Sequence, residues 1–554
     1  MKKAIFLITL AGLLTLSGML TYAQAPGWIW AKSAEGGNGI DEGRSIAMDV
    51  QGNAYTTGIF GSPTLTFDTM VLSKISSISF SDIFIAKYDA SGKVIWAKNA
   101  GVKATDNIYV YNVGSSSISA DANGNSYITG SFSGDALNFD SVTVTSKGAN
   151  GGVFIVKYDA SGNVMWAKSA QESGYGGGGG TSISTDVNGN SYLAGYFYND
   201  TITFDNIVLK GTVTGPGDEG GLYVAKYDPS GKVLWAKSFG LTHWDHISSI
   251  GVDGNGNSYI TGYFQGPSIS FDAITLTSIA PYGGLFVVKF NPSGQVMWAR
   301  TAEESGNGGA QSTTLYVDAI GNPYINGYFN SQTISFDSYM FLNRNFSVMG
   351  YDAFFVKYDA DGNVLSVKNA GGPVSSFDKS ISVDASGNYY LTGNGLVSMY
   401  NASGDSLWTI FKYGCTAKSI CSAPDGSLYL TGKFWSSAVA FGSTILTCED
   451  PGYSKGDFFI AKLNSYTTGI NTFNKSEMQV SIYPNPARNI LTVENTSGIG
   501  NKTISIFNIR GQLLINQLIK RNRSDIDVSG LAKGMYFLKV NTDKGVELKK
   551  FVKE

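Results

Sequence analysis

The chain has 554 residues and a formal net charge of only −3, and aromatics make up 13% of it, which excludes a disordered polymer and a basic nucleic-acid-binding surface on its larger part. Three cysteines in this length exclude a disulfide framework, and 69 glycines against 13 prolines point to many tight turns. Charge is uneven: residues 478–554 hold 12 Lys+Arg against 6 Asp+Glu, leaving −9 on the rest, so a domain boundary is expected near 477.

The start, "MKKAIFLITLAGLLTLSGMLTYAQA", places two lysines before an apolar run that ends in small residues. This is the pattern of a secretory signal peptide, residues 1–23, with cleavage between Ala23 and Gln24. A cut after Ala25 would put Pro26 next, which signal peptidases tolerate poorly. No cysteine stands at the junction to carry a lipid, and no later stretch reaches the roughly 18 apolar residues of a membrane helix. The expected route is export through the periplasm, with no transmembrane helix in the mature protein.

Residues 24–464 are built from a repeated unit. "DANGNSYITG" (121–130) returns as "DVNGNSYLAG" (186–195), "DGNGNSYITG" (253–262) and "DASGNYYLTG" (384–393). The tyrosine after each turn (Tyr55, Tyr127, Tyr192, Tyr259, Tyr324, Tyr390, Tyr429) recurs every 65–72 residues, except for a last step of 39. A second marker, "KYDASGKVIWAK" (87–98), returns five times. One unit reads as four short alternating runs, "TSISTD", "SYLAGYF", "GLYVAKYD" and "KVLWAKSF", joined in pairs by "VNGN" and "PSG". Period-two alternation of β-branched and aromatic residues predicts strands, and Asn-Gly and Ser-Gly predict tight hairpins. The decapeptide therefore recurs because every unit needs the same hairpin.

Four-stranded units in a long array predict propeller blades. There are seven first hairpins and seven third strands, the last being "DFFIAKL" (457–463), but only six fourth strands follow them. The missing one is "GWIWAKSA" (27–34), which lacks a third strand before it. The fold class expected is thus all-β: a seven-bladed β-propeller closed by the N-terminal strand, followed by a small β-sandwich. Most units also carry an extra hairpin marked by Phe-Asp (Phe67–Asp68, Phe139–Asp140, Phe204–Asp205, Phe271–Asp272, Phe336–Asp337), the phenylalanine as a packing plug and the aspartate as a turn residue. The sixth unit lacks it. For Cys415, Cys421 and Cys448 two readings stand, one Cys421–Cys448 bridge or unpaired thiols. A polar linker, 465–477, precedes the C-terminal domain, 478–554, whose roughly seven alternating strands suit the small sandwich.

Units with "DxxGNxYxTG", "FD" and "KYDxxGxxxWAK" resemble the SBBP-type propeller repeats of secreted bacterial proteins, a likeness informative about fold and silent about activity. From 478 the chain resembles a type A C-terminal sorting domain of the type IX secretion system. The matching stretches are "YPNP" (483–486), "IFNIRGQLL" (506–514), "DVSGLAKGMYFLKV" (527–540) and "ELKKFVKE" (547–554). The resemblance implies a sorting signal carried by Pro484, Asn485, Pro486, Gly511, Gly534, Tyr536, Lys549 and Lys550. It also implies the type IX machinery as partner and a secreted or outer-membrane surface-attached product.

The candidate chemistry is sparse. "DANGN" lacks the glycine position and the later glutamate of a calcium loop. The repeated tryptophans (Trp30, Trp96, Trp166, Trp235, Trp298, Trp408) resemble the docking tryptophans of quinoprotein propellers and are read as seals between blades, with Ser366 replacing one. The Asp-box-like "SISADANGN" resembles sialidases, but the propeller has only Arg44, Arg300 and Arg344 for the three arginines such a pocket needs. Both histidines lie in "HWDH" (243–246), a singular cluster. Connections between units are acidic, glycine-rich and variable, and a rigid scaffold carries binding in such loops. Glu42, Glu172, His243, Asp245, His246, Glu303 and Glu304 are therefore the candidate ligand-binding residues, expected exposed on one face with carboxylates that raise one another's pKa. No catalytic residue, metal site or cofactor is assigned. The function read is a secreted or cell-surface non-catalytic binding or adhesion propeller for a glycan, protein or cation. The alternative is a propeller-fold carbohydrate-active hydrolase or lyase using acidic residues on the variable-loop face.

Overall fold

The computed structural model describes residues 25–554 except 76–79, 103–112, 147–150, 173–176, 199, 214–218, 241–244, 281–282, 307, 345–349, 370–379, 394–395, 450, 453–454, 466–479, 496–501, 509–512, 520 and 543–544. Ala23 and Gln24, with the rest of the signal segment, lie outside the described residues, as do His243 and Gly511. The chain divides into two compact units, 1–466 and 467–554. No helix is long and apolar enough to cross a membrane among the described residues.

The first compact unit is all-β and propeller-like. Among the described residues, a set of four antiparallel strands recurs seven times. In the third repeat the strands are Gly179–Thr185, Ser191–Phe197, Glu219–Tyr227 and Val233–Phe239, paired in chain order. The seventh set departs in the way its sequence requires. Its fourth strand is Trp28–Ser33, which pairs antiparallel with Asp457–Leu463 (Trp30↔Lys462, Ser33↔Phe459). The orphan N-terminal strand therefore completes the last sheet.

Most hairpins form because an aspartate, or an asparagine at 291 and 401, replaces missing backbone partners. Asp121 Oδ1 accepts the N–H groups of Asn123 (2.9 Å) and Asn125 (3.0 Å), and Gly124 turns with φ +79°. Between second and third strands the extra hairpins are present in six repeats, including the seventh, where Phe441–Gly442 replaces Phe-Asp. Asp68, Asp140, Asp205, Asp272 and Asp337 all turn with φ near +50°, a conformation short polar side chains tolerate. The paired phenylalanines are buried in the cores of their units.

Neighbouring sheets are joined by three repeated contacts. A bulge early in most first strands sets a serine toward the next sheet, where its Oγ accepts a backbone N–H: Ile118 from Ser45, Ile183 from Ser117 and Ile250 from Ser182, each at 3.2 Å. The same bond joins Ile46 to Ser419 of the seventh sheet at 3.3 Å. Fourth-strand tryptophans lie flat on the glycine of the next unit's turn and donate to its carbonyl, Trp96 to Ala160 and Trp298 to Ala360, both at 3.1 Å. Trp30 donates to Ala90 at 3.2 Å in the same way, from seventh sheet to first. Third-strand lysines reach the same carbonyls across a tyrosine ring, as Lys87 does over Tyr55 to Ala160.

The second compact unit is a small sandwich. A three-stranded sheet (Val480–Tyr483, Ile490–Asn495, Arg523–Asp527) and a four-stranded sheet (Lys502–Asn508, Leu513–Ile519, Gly534–Thr542, Gly545–Lys553) share one buried core that includes Leu491, Ile504, Leu538 and Phe551. Cys415, Cys421 and Cys448 are not disulfide-bonded to one another, so the bridge reading for Cys421–Cys448 is set aside.

Replacing Trp30 by alanine removes its indole from the contact with Gly92 and Tyr429 and its bond to Ala90. A loss of about 3–5 kcal/mol is expected, read as a lower urea midpoint, with Trp30→Phe losing roughly 1–2 kcal/mol. Equal midpoints for Trp30→Ala and the parent would contradict the latch.

Candidate functional site

The candidate residues come from strand starts and from the connections leading into them, and burial is their common property. Asp41 and Asp245 each sit four residues before the residue that follows the first-strand bulge, Ser45 and Ser249. Asp41 accepts the N–H groups of Gly61 (3.0 Å) and Ser62 (3.3 Å) and the Ser62 hydroxyl (2.7 Å). Asp245 accepts the N–H of Gln265 at 2.9 Å. Glu172 and Glu304 enter from the connections instead, on short strands paired with the extra hairpins. Gly36 and Gly178 make room: an added Cβ would meet Asp41 Oδ2 at 1.9 Å and Glu172 Oε1 at 2.4 Å. Glu42 pairs with Lys418 at 2.8 Å.

The expected exposed acidic rim is therefore corrected. Glu42, Glu172, Asp245 and Glu304 are buried, and of the five candidate carboxylates only that of Glu303 is exposed. The reason is physical. At Asp41 and Asp245 a connection folded across a sheet end takes backbone N–H groups away from water, and the carboxylate accepts from them. Nor do the acids raise one another's pKa as the leading effect. Burial pushes Glu304 up to about 8, with the charge of Glu303 the smallest contribution, and burial also pushes Asp41 up to about 6 against the lowering bonds from Ser62. Ser278 Oγ reaches Glu304 Oε2 at 3.4 Å, while Oε1 has no partner among the described residues. Burial lowers the pKa of His246, keeping the imidazole neutral, and its Nδ1 has no hydrogen-bond partner among the described residues.

Two features escaped the sequence reading. The first is an aromatic arc at the same end. Tyr196, Tyr263 and Tyr328 occupy one position near the ends of the second strands of units three, four and five, opposite Gly179, His246 and Gln311 of the first strands. His246 stacks on Tyr263 (5.6 Å, 17°) and lies 5.9 Å from Tyr196, which lies 5.0 Å from Tyr198. The equivalent pairs in units one, two and seven are Glu42–Ile59, Gly114–Ser131 and Thr416–Lys433. The second feature is a cavity of about 740 Å³ at the opposite end, among the first-to-second-strand turns of units five, six, seven and one. Its lining includes Tyr316, Lys357, Asp384 and Cys421. Tyr316 stands where the other units have Ala47, Ser119, Ser184, Gly251, Ser382 and Cys421, and that single large residue was the available signal. Burial pushes the Cys421 thiol up to about 12, so it does not supply a thiolate at neutral pH.

In the C-terminal unit the sorting stretches are tied to one another. Asn485 of "YPNP" accepts from Val552 N (2.9 Å) and donates to Lys550 O (3.2 Å), and Ala487 N donates to Val552 O (2.7 Å). The Tyr536 hydroxyl donates to Ala532 O at 2.7 Å, and its ring stacks on Phe551. Pro484, Pro486, Gly534 and Lys550 are exposed and Lys549 half-buried.

Residues 481–554 match the secretion system C-terminal sorting domain family. This unit marks the chain for handling by the type IX secretion machinery, and so for secretion or attachment at the cell surface. Over 442 residues the chain is 24% identical to an uncharacterized WD repeat-containing protein of Acanthamoeba polyphaga mimivirus, covering 66% of this chain and 31% of that one. It is 25% identical over 271 residues to the regulatory protein FlaEY of Caulobacter vibrioides, covering 45% and 26%. The chain thus spans less than a third of the length of these curated relatives. Among solved structures, the mitotic checkpoint complex (9% identity, TM-score 0.39, covering 84% of this chain and 100% of that one) and the Neurospora crassa Pan2 WD40 domain (9%, TM-score 0.36, covering 80% and 100%) are similar.

The buried acid of Glu304 makes stability pH-dependent in a stated direction. Its pKa is about 8 in the fold against an ordinary 4.5, so its contribution is complete below 4.5 and lost as pH rises through 8. Glu304→Gln should flatten the fall in the urea midpoint between pH about 5 and about 9, a difference of roughly 4–5 kcal/mol at full deprotonation. Parallel pH profiles for parent and variant would refute this.

Proposed function

We propose that the seven repeats form one seven-bladed propeller of SBBP-like units closed by the N-terminal strand, and that it is a non-catalytic binding or adhesion module working outside the cell or on its surface. The observation that carries this reading is a contrast. Most joints repeat one set of contacts, whereas the connection end differs from unit to unit. Closure is supported by the Ser419–Ile46 and Trp30–Ala90 bonds, which repeat between units seven and one what joins the others. A scaffold held so uniformly with one varied end is the arrangement in which loops acquire binding. The ligand would meet the exposed Glu303 and the loops that Glu42, Glu172, Asp245, His246 and Glu304 support from beneath; His243 belongs to the same connection as Asp245.

A carbohydrate-active hydrolase or lyase is the second reading, and it rests on Glu304. A carboxyl held protonated near neutral pH is what a general acid requires. Its burial, and the binding of Asp41 and Asp245 to backbone, favour the non-catalytic reading, because catalysis needs several such groups converging on accessible substrate.

An unbiased screen of the exported protein against glycan and extracellular-protein arrays tests the binding face. Glu303→Ala combined with exchange of the 303–311 connection should weaken whatever is found, and Asn188→Ala, in a turn at the other end, should not. Loss with Asn188→Ala alone would overturn the assignment. Export is tested separately. Because five of the last six residues belong to the final strand and carry partners of Asn485, deleting the six should unfold the sorting unit and trap the protein in the periplasm. The pair Lys549→Ser and Lys550→Ser isolates charge from folding, and reduced extracellular protein with a folded C-terminal unit is expected. Extracellular material should begin near Gln24 and lack 478–554; intact C-terminal domain on most of it would contradict sorting by removal.

A further inference from the structure

We infer that the aromatic arc of units three to five is a stacking platform for a neutral oligosaccharide, which rests on the binding-face reading above and gives it a ligand class. Four rings from adjacent units form a continuous row: Tyr198 to Tyr196 at 5.0 Å, Tyr196 to His246 at 5.9 Å and His246 to Tyr263 at 5.6 Å. Tyr328 holds the same strand position one unit further on, with its hydroxyl on Gln311. The rings are half-buried, and Tyr198 is 44% exposed, so the scaffold supports the row from below while leaving it open. Tyr196 also packs against a buried core cluster, but core packing does not demand an aromatic here, since the equivalent second-strand positions in the other described units are Ile59, Ser131 and Lys433.

The chemistry selects the class. A pyranose has an apolar C–H face and hydroxyl edges, and successive sugars of a linear chain present such faces at spacings comparable with these rings. The arc offers the matching pattern, π faces with polar edges. The edges are neutral. Burial raises the phenol pKa values of Tyr196, Tyr198 and Tyr263 and pushes Tyr328 up to about 12, so the hydroxyls are donors, and the imidazole of His246 is uncharged. The nearby carboxylate of Asp245 is buried and accepts the Gln265 N–H, so it offers the arc no exposed oxygen ligand for a metal ion, and a quaternary ammonium, which aromatic faces bind unaided, is the competing occupant. Of the other charged groups at this end, Glu42 pairs with Lys418, Glu172 is buried beside Tyr196, and Glu303 is exposed on the connection strand of unit five.

The test is calorimetric titration of the exported protein with cellohexaose, xylohexaose, mannohexaose and chitohexaose, and with choline as the probe for a cation cage. At least one hexasaccharide should bind saturably. Tyr263→Ala should weaken it about tenfold or more and Tyr198→Ala by about threefold or more, while Tyr263→Phe stays within about threefold because the stacking face remains. Val71→Ala, on an extra hairpin, should change nothing. Tyr198 is exposed enough for its alanine variant to fold if Tyr263→Ala does not. Absence of binding to all four sugars, or sugar binding indifferent to both alanine variants, overturns the inference. Binding of choline alone, or of a protein from the screen, in a Tyr263-dependent manner also overturns it while leaving the binding face in place.

Discussion

A tyrosine hydroxyl ties each of units one, two and three to the turn of the next. Tyr55 OH lies 3.0 Å from Asp49 Oδ2 of its own turn and 2.7 Å from the carbonyl of Gly124 in the next unit's turn. Tyr127 and Tyr192 repeat this with Asp121 and Gly189 and with Asp186 and Gly256. The aspartate that satisfies the turn thus also fixes the ring that grips the neighbouring turn. Local and inter-unit structure share one buried carboxylate, so neither can change alone. Deleting one partner would strand buried polar groups, a cost of about 1–3 kcal/mol for each. This coupling is why the decapeptide is written with so little variation, and why variation is confined to residues outside it.

The joint between units five and six shows what happens where the pattern breaks. Ser366 stands in the tryptophan position, and the glycine of the next turn, Gly404, meets the aliphatic stem of Lys368, whose ammonium pairs with Asp405 at 3.3 Å. A flexible chain replaces a rigid indole. One step on, Trp408 is buried, yet its Nε1 has no partner among the described residues. The other tryptophans donate to a turn between a third and a fourth strand. In the seventh sheet those strands are 28–33 and 457–463, so no such turn exists there. The defect follows directly from completing a sheet with the far end of the chain.

Most of the fold was legible because its signals are periodic. Turn residues at fixed offsets, strand alternation and the orphan "GWIWAKSA" led to four-stranded sheets and to the 28–33 with 457–463 pairing. The extra hairpin of the seventh unit was missed because Gly442 replaces the aspartate that marked the others; both residues meet the same demand, a positive φ. The site was less legible. "EGGNGIDEG" and "EESGNGGAQ" read as acidic, solvated loops, since sequence records charge but not direction. In the fold Asp41 and Glu304 turn inward, one to the backbone of residues 61 and 62 and the other to a buried site beside Ser278. The aromatic arc was hidden for the opposite reason. "GYF" looks like ordinary strand alternation, and only the comparison of Tyr196, Tyr263 and Tyr328 with Ile59, Ser131 and Lys433 at one position separates it from the core.

That comparison also bears on where this molecule can acquire specificity. Along each second strand, the residues facing into the sheet packing are large and buried, and the turn at one end is held by the tyrosine–aspartate coupling. The connection acids are likewise committed, because removing Asp41 would leave the N–H groups of residues 61 and 62 without their partner. What remains free to change without unfolding is the second-strand position beside the connection, together with its first-strand partner. There the chain carries Glu42 with Ile59, His246 with Tyr263, Gln311 with Tyr328 and Thr416 with Lys433. These pairs differ in charge, size and hydrogen-bonding capacity while their backbones keep one register. Chemical diversity at positions of fixed geometry is what a recognition surface needs, and the rigid joints supply the fixed geometry.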